Sequence, residues 1–220
     1  MSTVKSWAKR IAAVGAVAAV AIPVSVGSAG AETTAEAQAQ AAATASVPVG
    51  YNCYVEFPGG HNVLPYSLTF ATKAPAKVAP HKKFTVELDP PVITPNPQYN
   101  SGVKDVQVQY QLPANASLVK YELVGGSGLA GTHAVVTVDY GTNTLTYKQA
   151  GTLAAGQPFD LPTLKLKLES GASGVINTGT AGTSFDDPAF TWVRLDLQGA
   201  PAPFKCVANP QTTFTTTTVR

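Results

Sequence analysis

The sequence feature that most constrains the fold is a strictly alternating segment at residues 159–169, FDLPTLKLKLE. Leu164, Leu166 and Leu168 alternate there with polar side chains that include Lys165 and Lys167. A period of two places the apolar row on one face of the backbone and the charged row on the other, as in a half-buried β-strand. The segment therefore predicts a strand against which the other elements pack.

Several other segments repeat this alternation, among them LPYSLTFAT, KKFTVELD, VKDVQVQYQLP and FTWVRLDL. Turn-forming residues separate them about every 8 to 12 residues, and no segment of the folded part has a helical period. We therefore predict an all-β fold, a single antiparallel β-sandwich of about ten strands. The four prolines of DPPVITPNPQYNSG cannot donate to a ladder, so this segment is expected to be a long surface loop and a candidate binding edge.

The amino terminus has the composition of a secretory signal peptide. Lys5, Lys9 and Arg10 precede an apolar run at residues 11–26, and small residues follow it. A run of this length is shorter than the roughly 20 residues that a membrane-spanning helix needs. We predict that residues 1–31 form a cleaved signal peptide and that no transmembrane anchor remains after its removal.

The rest of the chain divides into a leader and one domain. Residues 32–48 are rich in Ala and Thr and cannot bury enough apolar area to offset the entropy of ordering, so a flexible leader is predicted. Residues 49–220 are long enough for one core. Without the signal peptide, twelve basic and thirteen acidic side chains leave a net charge of about −1, which argues against a nucleic-acid partner.

The chain has two cysteines, Cys53 near the start of the predicted domain and Cys206 near its end. An even number of cysteines in an exported chain indicates a disulfide. We predict a Cys53–Cys206 bond that clamps the first strand to the last, and a secreted location, either extracellular or associated with the cell wall. The Thr-rich segment at residues 212–218 is either an edge strand or an exposed tail.

The segments QLPANASLVKYELVGG, AGTLAAGQPFDLPTLKLKLESG and GVINTGTAGTSFDDP are similar to the immunoglobulin-like repeat domains of bacterial surface and cell-wall proteins. The similarity covers about residues 103–190 and implies an immunoglobulin-like sandwich that acts at the cell envelope. The residues that match the repeat pattern are Leu112 with Pro113, Leu153 with Gly156, Asn177 with Thr178, and Asp187 with Pro188.

In overall layout, and in the segment AGTSFDDPAFTW, the chain also resembles small secreted actinomycete proteins, some of which are named cholesterol esterase. That resemblance implies a lipid-ester or sterol-ester hydrolase, which needs a nucleophile, a base and an oxyanion site within mutual reach. The nucleophile-elbow spacing G-x-S-x-G is absent. Strand and turn roles explain the candidate residues more simply than catalysis does. These candidates are Ser127, Ser184, His133, Asp139 and Asp187.

Three aromatic residues are candidates for lining a groove that binds a glycan or a lipid: Tyr99, Phe185 and Trp192. The histidines lack zinc-ligand spacing and no calcium-loop motif is present, so neither a metal nor another cofactor is predicted. The function favoured at this point is a non-catalytic binding module for a cell-envelope polymer, lipid or surface protein. The alternative is the ester hydrolase.

Overall fold

The computed structural model describes residues 42–57 and 59–220 of the chain, which fall within one compact unit, Ala39–Arg220. The predicted signal peptide and the first part of the predicted leader lie outside these residues. The strands are β1 (Ala42–Phe57), β2 (Gly60–Pro75), β3 (Lys77–Val78), β4 (Lys83–Asp89), β5 (Gly102–Gln111), β6 (Ala116–Val124), β7 (His133–Asp139), β8 (Thr144–Ala154), β9 (Thr163–Ser170), β10 (Gly174–Thr180), β11 (Phe190–Leu195), β12 (Pro201–Ala208) and β13 (Thr213–Val219).

The thirteen strands form one hydrogen-bonded sheet in the order β3-β13-β10-β5-β11-β12-β1-β2-β4-β9-β6, with β8 paired to β5 and β7 paired to β8. All pairs between these strands are antiparallel except β13 with the two-residue β3. Although β2 and β13 are far apart in this order, the ring centroids of Phe70 in β2 and Phe214 in β13 are 4.7 Å apart. The sheet therefore curls onto itself as an all-β sandwich, and the predicted fold class is confirmed.

Strand β9 has the alternation that its sequence predicts. Leu164, Leu166 and Leu168 are at most 1 % exposed, whereas Lys165 and Lys167 lie on the opposite face. The three leucines belong to one continuous hydrophobic core to which nearly every strand contributes. Removing this apolar surface from water is the main driving force for folding.

The disulfide joins two neighbouring strands. Cys53 of β1 is the direct register partner of Cys206 of β12, and both side chains are fully buried. The predicted bond is present, but it clamps β1 to β12, which is followed by β13, rather than to the last strand. Tyr51, Phe190 and Phe204 lie in the same buried cluster.

One expectation about the leader is wrong in part. Strand β1 begins at Ala42, so residues 42–48 are extended and paired with β2 rather than flexible. The side chains in this stretch are mostly exposed, which is why their composition did not indicate a strand. The backbone ladder with β2, continuing the hairpin from Tyr51 and Cys53, supplies the order that side-chain burial does not.

The Thr-rich segment forms β13, which lies between β10 and β3 rather than in an exposed tail. Its inward threonines are buried, and their hydroxyl groups have partners. Thr215 and Thr178 share a hydrogen bond of 2.7 Å between their Oγ1 atoms, and Thr217 donates to the carbonyl of Pro75. Threonine can therefore occupy the inner face here, because each buried hydroxyl is satisfied.

The predicted proline-rich loop is present between β4 and β5, and it contains Tyr99. Neither α-helix nor 3₁₀-helix occurs in residues 42–57 and 59–220. Consistent with this, that part of the chain holds no helix of the length and hydrophobicity that a membrane span requires.

Candidate functional site

Ser127 and His133, two of the predicted catalytic residues, have structural positions in a loop and at the start of a strand. Ser127 lies in a glycine-rich loop, where its backbone exchanges two hydrogen bonds with Asp160, of 3.0 and 2.9 Å. Burial, with a contribution from the Asp89 carboxylate, raises the pKa of Asp160. His133 begins β7 opposite Ala150 and its side chain is exposed. No hydrogen bond joins the side chains of Ser127 and His133.

The predicted acids also stabilise turns. Asp139 accepts hydrogen bonds from the backbone N–H of Gly141 at 2.7 Å and of Thr142 at 3.4 Å, and the Gly141 bond in particular lowers the pKa of its carboxyl group. Asp187 donates its backbone N–H to Ser184 Oγ at 3.1 Å. Within the described part of the chain, no hydrogen bond joins a histidine to a serine, so nothing there favours the hydrolase alternative.

The three aromatic candidates have different environments. Tyr99 is 64 % exposed in the proline-rich loop, and its carbonyl accepts a hydrogen bond from Arg194. Trp192 is only 7 % exposed and stacks on Phe204 in the core, with ring centroids 4.7 Å apart. Its indole therefore packs the core and does not line a surface groove. Phe185 is partly exposed and contacts another aromatic side chain.

Phe185 belongs to a cluster of three rings, which we call the aromatic surface: Tyr54, His61 and Phe185. Tyr54 stacks on His61 with ring centroids 5.0 Å apart and an interplanar angle of 29°. The ring centroids of Tyr54 and Phe185 are 5.7 Å apart, with an interplanar angle of 43°. His61 is exposed, and the other two side chains are partly exposed. Three adjoining rings, each partly or fully exposed, thus form one cluster at the surface.

The β1–β2 hairpin positions two of these rings. In the hairpin register Tyr54 is opposite Val63 and Glu56 is opposite His61, so Tyr54 and His61 are diagonal neighbours on one face. The Tyr54 hydroxyl donates to Glu56 Oε1 at 2.8 Å, and this bond is the main cause that raises the pKa of the phenol. Because consecutive strand residues face opposite ways, the ring lies on the outer face while Cys53 anchors the same strand in the core.

The β10–β11 loop positions the third ring. Residues Ser184 and Asp187 close a tight turn around Phe185 with reciprocal backbone hydrogen bonds of 3.3 and 3.1 Å. Gln109 of β5 donates to Asp187 Oδ1 at 2.9 Å, which ties this turn to the sheet. The turn residues that were candidates for catalysis therefore hold a ring of the aromatic surface.

Polar side chains continue from the aromatic surface across neighbouring strands. Register pairing places Tyr54 opposite Lys205 of β12, Lys205 opposite Thr191 of β11, and Thr191 opposite Gln107 of β5. Register partners share a face, so these residues form one row on the outer side of the sheet. Such a row offers hydrogen-bond donors and acceptors beside the aromatic surface.

Sequence reasoning identified Phe185 but missed Tyr54 and His61. A usable signal was present, because a buried Cys53 in a strand requires Tyr54 to face outward. His61 had no such signal, since its place beside Tyr54 depends on the hairpin register. No group of three or more metal-ligating side chains comes together in residues 42–57 and 59–220.

No protein-family model and no curated protein matches this sequence. Among solved structures, a Corynebacterium diphtheriae protein described as membrane anchored is similar with a TM-score of 0.51 and 15 % identity over 80 % of this chain. The chain spans 38 % of the length of that protein. The collagen-binding domain of a Staphylococcus aureus adhesin matches 68 % of this chain and 96 % of that domain, with a TM-score of 0.33 and 11 % identity. The C. diphtheriae comparison supports the all-β sandwich fold.

Proposed function

We propose that this chain is a secreted, non-catalytic binding module of the bacterial cell envelope that holds a glycan polymer on the aromatic surface. The observation that carries the proposal is a cluster of three exposed or partly exposed rings, in which Tyr54 stacks on His61 and is tilted against Phe185. Aromatic rings combine a large apolar face with low conformational entropy, and they contact the apolar C–H faces of sugar rings well.

The surroundings suit a polar polymer better than a lipid chain. The three rings are exposed or partly exposed rather than enclosed in an apolar cavity, and a row with Lys205, Thr191 and Gln107 adjoins them. A sugar has hydroxyl groups on its rim that need such partners, whereas an acyl chain needs an apolar enclosure.

The rigid base of the site also supports binding rather than chemistry. Cys53, next to Tyr54, forms the disulfide with Cys206. Asp187, which closes the turn around Phe185, accepts a hydrogen bond from Gln109. A platform that is ordered before the ligand arrives loses little entropy on binding.

The experiment is co-sedimentation of the purified chain with peptidoglycan sacculi, insoluble cellulose and chitin, and with phosphatidylglycerol vesicles. We expect binding to at least one glycan, weakened about tenfold or more by either Tyr54→Ala or Phe185→Ala. Tyr140→Ala is the matched control, because Tyr140 is 70 % exposed and has no aromatic neighbour in the described structure. Circular dichroism checks that the variants are folded.

Glycan binding that both variants retain in full would refute the role of the aromatic surface. Binding to vesicles alone would point to a lipid instead of a glycan and would also overturn the proposal.

A further inference from the structure

Strand β6 is an edge of the sheet that residues 42–57 and 59–220 form. Within that part of the chain, it ends the strand order and pairs only with β9. Three of its apolar side chains are unusually exposed for a strand, with Val119 at 45 %, Tyr121 at 42 % and Val124 at 39 %. An edge with unpaired backbone groups and exposed apolar side chains is a template for pairing with another strand.

The sequence of β6 is complementary to itself. In LVKYELV, residues 118–124, Lys120 and Glu122 flank Tyr121 symmetrically, and apolar residues lie on both sides of them. If two copies of β6 pair antiparallel with Tyr121 opposite Tyr121, each Lys120 faces Glu122 of the second copy. A β-bulge lies between Leu118 and Lys120, so the regular part of this pairing is centred on Lys120, Tyr121 and Glu122. A different register would not match the charges in this way.

The charges on the neighbouring strands favour the same arrangement. Lys120 is opposite Lys167 of β9, and like charges opposite each other destabilise a sheet. Glu122 is opposite Lys165, which is itself 3.4 Å from Glu87. In the described part of the chain, neither Lys120 nor Lys167 takes part in an ion pair.

Pairing two copies of β6 would give Lys120 the acidic neighbour that its own sheet does not provide. In the dimer, a row of register partners would cross both copies on the outer face. In the first copy it consists of Thr85, Lys167 and Lys120. In the second copy it continues with Glu122, Lys165 and Glu87, and the two halves meet where Lys120 is opposite Glu122. The same residues line a shallow recess of about 320 Å³ on the outer face of β4, β9 and β6. Two such recesses would merge across the symmetry axis.

We propose that two copies of this chain form a two-fold symmetric dimer by antiparallel β6–β6 pairing centred on Tyr121. A second copy is the occupant that this edge fits, because the strand supplies both halves of the charge pattern. This proposal uses residues separate from the aromatic surface, so it stands or falls independently of the proposed function.

The first test is the oligomeric state of the full chain by analytical ultracentrifugation over a range of concentrations. We expect a concentration-dependent dimer. Because of the two-fold symmetry, the Lys120–Glu122 pair occurs twice in the dimer. Either Lys120→Glu or Glu122→Lys therefore turns two attractive charge pairs into two repulsive ones and should weaken dimerisation about tenfold or more. The double variant Lys120→Glu/Glu122→Lys restores opposite charges across the axis and should recover the dimer. Lys82→Glu is the control for the change of net charge.

The second test is a disulfide cross-link that reports the register. Opposite residues of an antiparallel pair have Cα atoms about 4.5–5.5 Å apart, so Tyr121→Cys should form a covalent dimer on mild oxidation. Val124→Cys is the matched control, because in the proposed register its two copies lie about 20 Å apart and should not cross-link. Val124 is similarly exposed, at 39 %.

A chain that stays monomeric at about 1 mM overturns the proposal, since specific association would be evident there. So does a dimer that forms equally well with each charge variant, or one in which Val124→Cys cross-links as fast as Tyr121→Cys. The latter results would indicate another interface or another register.

Discussion

Removing the Cys53–Cys206 bond should cost a large part of the stability of the domain. The two cysteines are 153 residues apart in sequence, so the bond closes most of the domain into one loop. In the chain-entropy description, a loop of this length restricts the unfolded state by about 5 kcal/mol at 25 °C. Both side chains are fully buried in the folded state, so replacement by alanine exposes no new polar group.

The perturbation is therefore the double variant Cys53→Ala/Cys206→Ala. Its free energy of unfolding should fall by up to about 5 kcal/mol, which corresponds to a decrease in Tm of about 10–20 °C for a domain of this size. The assay is guanidinium unfolding followed by circular dichroism, with Tm from calorimetry. The m-value should rise, because an unfolded chain without the cross-link exposes more surface.

The control separates loop closure from packing. Val49→Ala shortens another fully buried side chain of β1 without changing chain connectivity, so it should lower stability but leave the m-value unchanged. Our reasoning would be refuted if the double variant lost less than about 1 kcal/mol and kept the m-value of the native chain. In that case the pairing of β1 with β12 alone would hold the ends of the domain together.

Two further predictions concern alkaline stability and the Phe185 turn. Burial raises the pKa of Tyr66 from 10.0 to about 12, so the folded state keeps a proton that the unfolded chain releases. The contribution of Tyr66 to the free energy of unfolding should thus be constant below about pH 10 and fall between about pH 10 and 12, and a guanidinium midpoint that is unchanged across this window would contradict the assignment. Gly182 lies two residues before the turn that Ser184 and Asp187 close. It has a φ of +74°, and an added Cβ would lie 2.5 Å from the backbone nitrogen of Ala189. Gly182→Ala should destabilise the domain by about 1–3 kcal/mol and weaken glycan binding through displacement of Phe185, whereas Gly199→Ala, at φ +83° with no neighbour within 4 Å, should cost less and leave binding unchanged. Stability is measured by chemical unfolding and glycan binding by co-sedimentation. If the two variants lost equal stability and equal binding, the close approach to Ala189 would have no effect.

The proposed binding face and the proposed dimer edge differ in character. The aromatic surface is built on the β1–β2 hairpin and the turn before β11, which the disulfide and the Gln109–Asp187 bond hold in place. Strand β6 has exposed apolar residues and, among the strands that the structure describes, pairs with β9 alone. If both proposals hold, the dimer presents two aromatic surfaces, and a polymer with repeated units would bind more tightly to the dimer than to the monomer.

Local pattern was enough to predict those features that depend on residues close together in the chain. The alternation of Leu164, Leu166 and Leu168 predicted β9 and its buried face, because side-chain direction in a strand repeats every two residues. The prolines at residues 90–97 predicted a loop, because each lacks an amide donor. The two cysteines predicted one disulfide, because only a single pairing was available.

The tertiary structure alone decided which strands pair and in which register. Residues 42–48 became strand because β2 offered a backbone ladder, which their own composition does not reveal. Tyr54, His61 and Phe185 meet because a hairpin register and a turn between β10 and β11 bring together residues as far as 131 positions apart. Lys120 faces Lys167 for the same reason. Alternation in a sequence states which way a side chain points relative to its own strand, whereas the neighbour that it meets is set by long-range pairing.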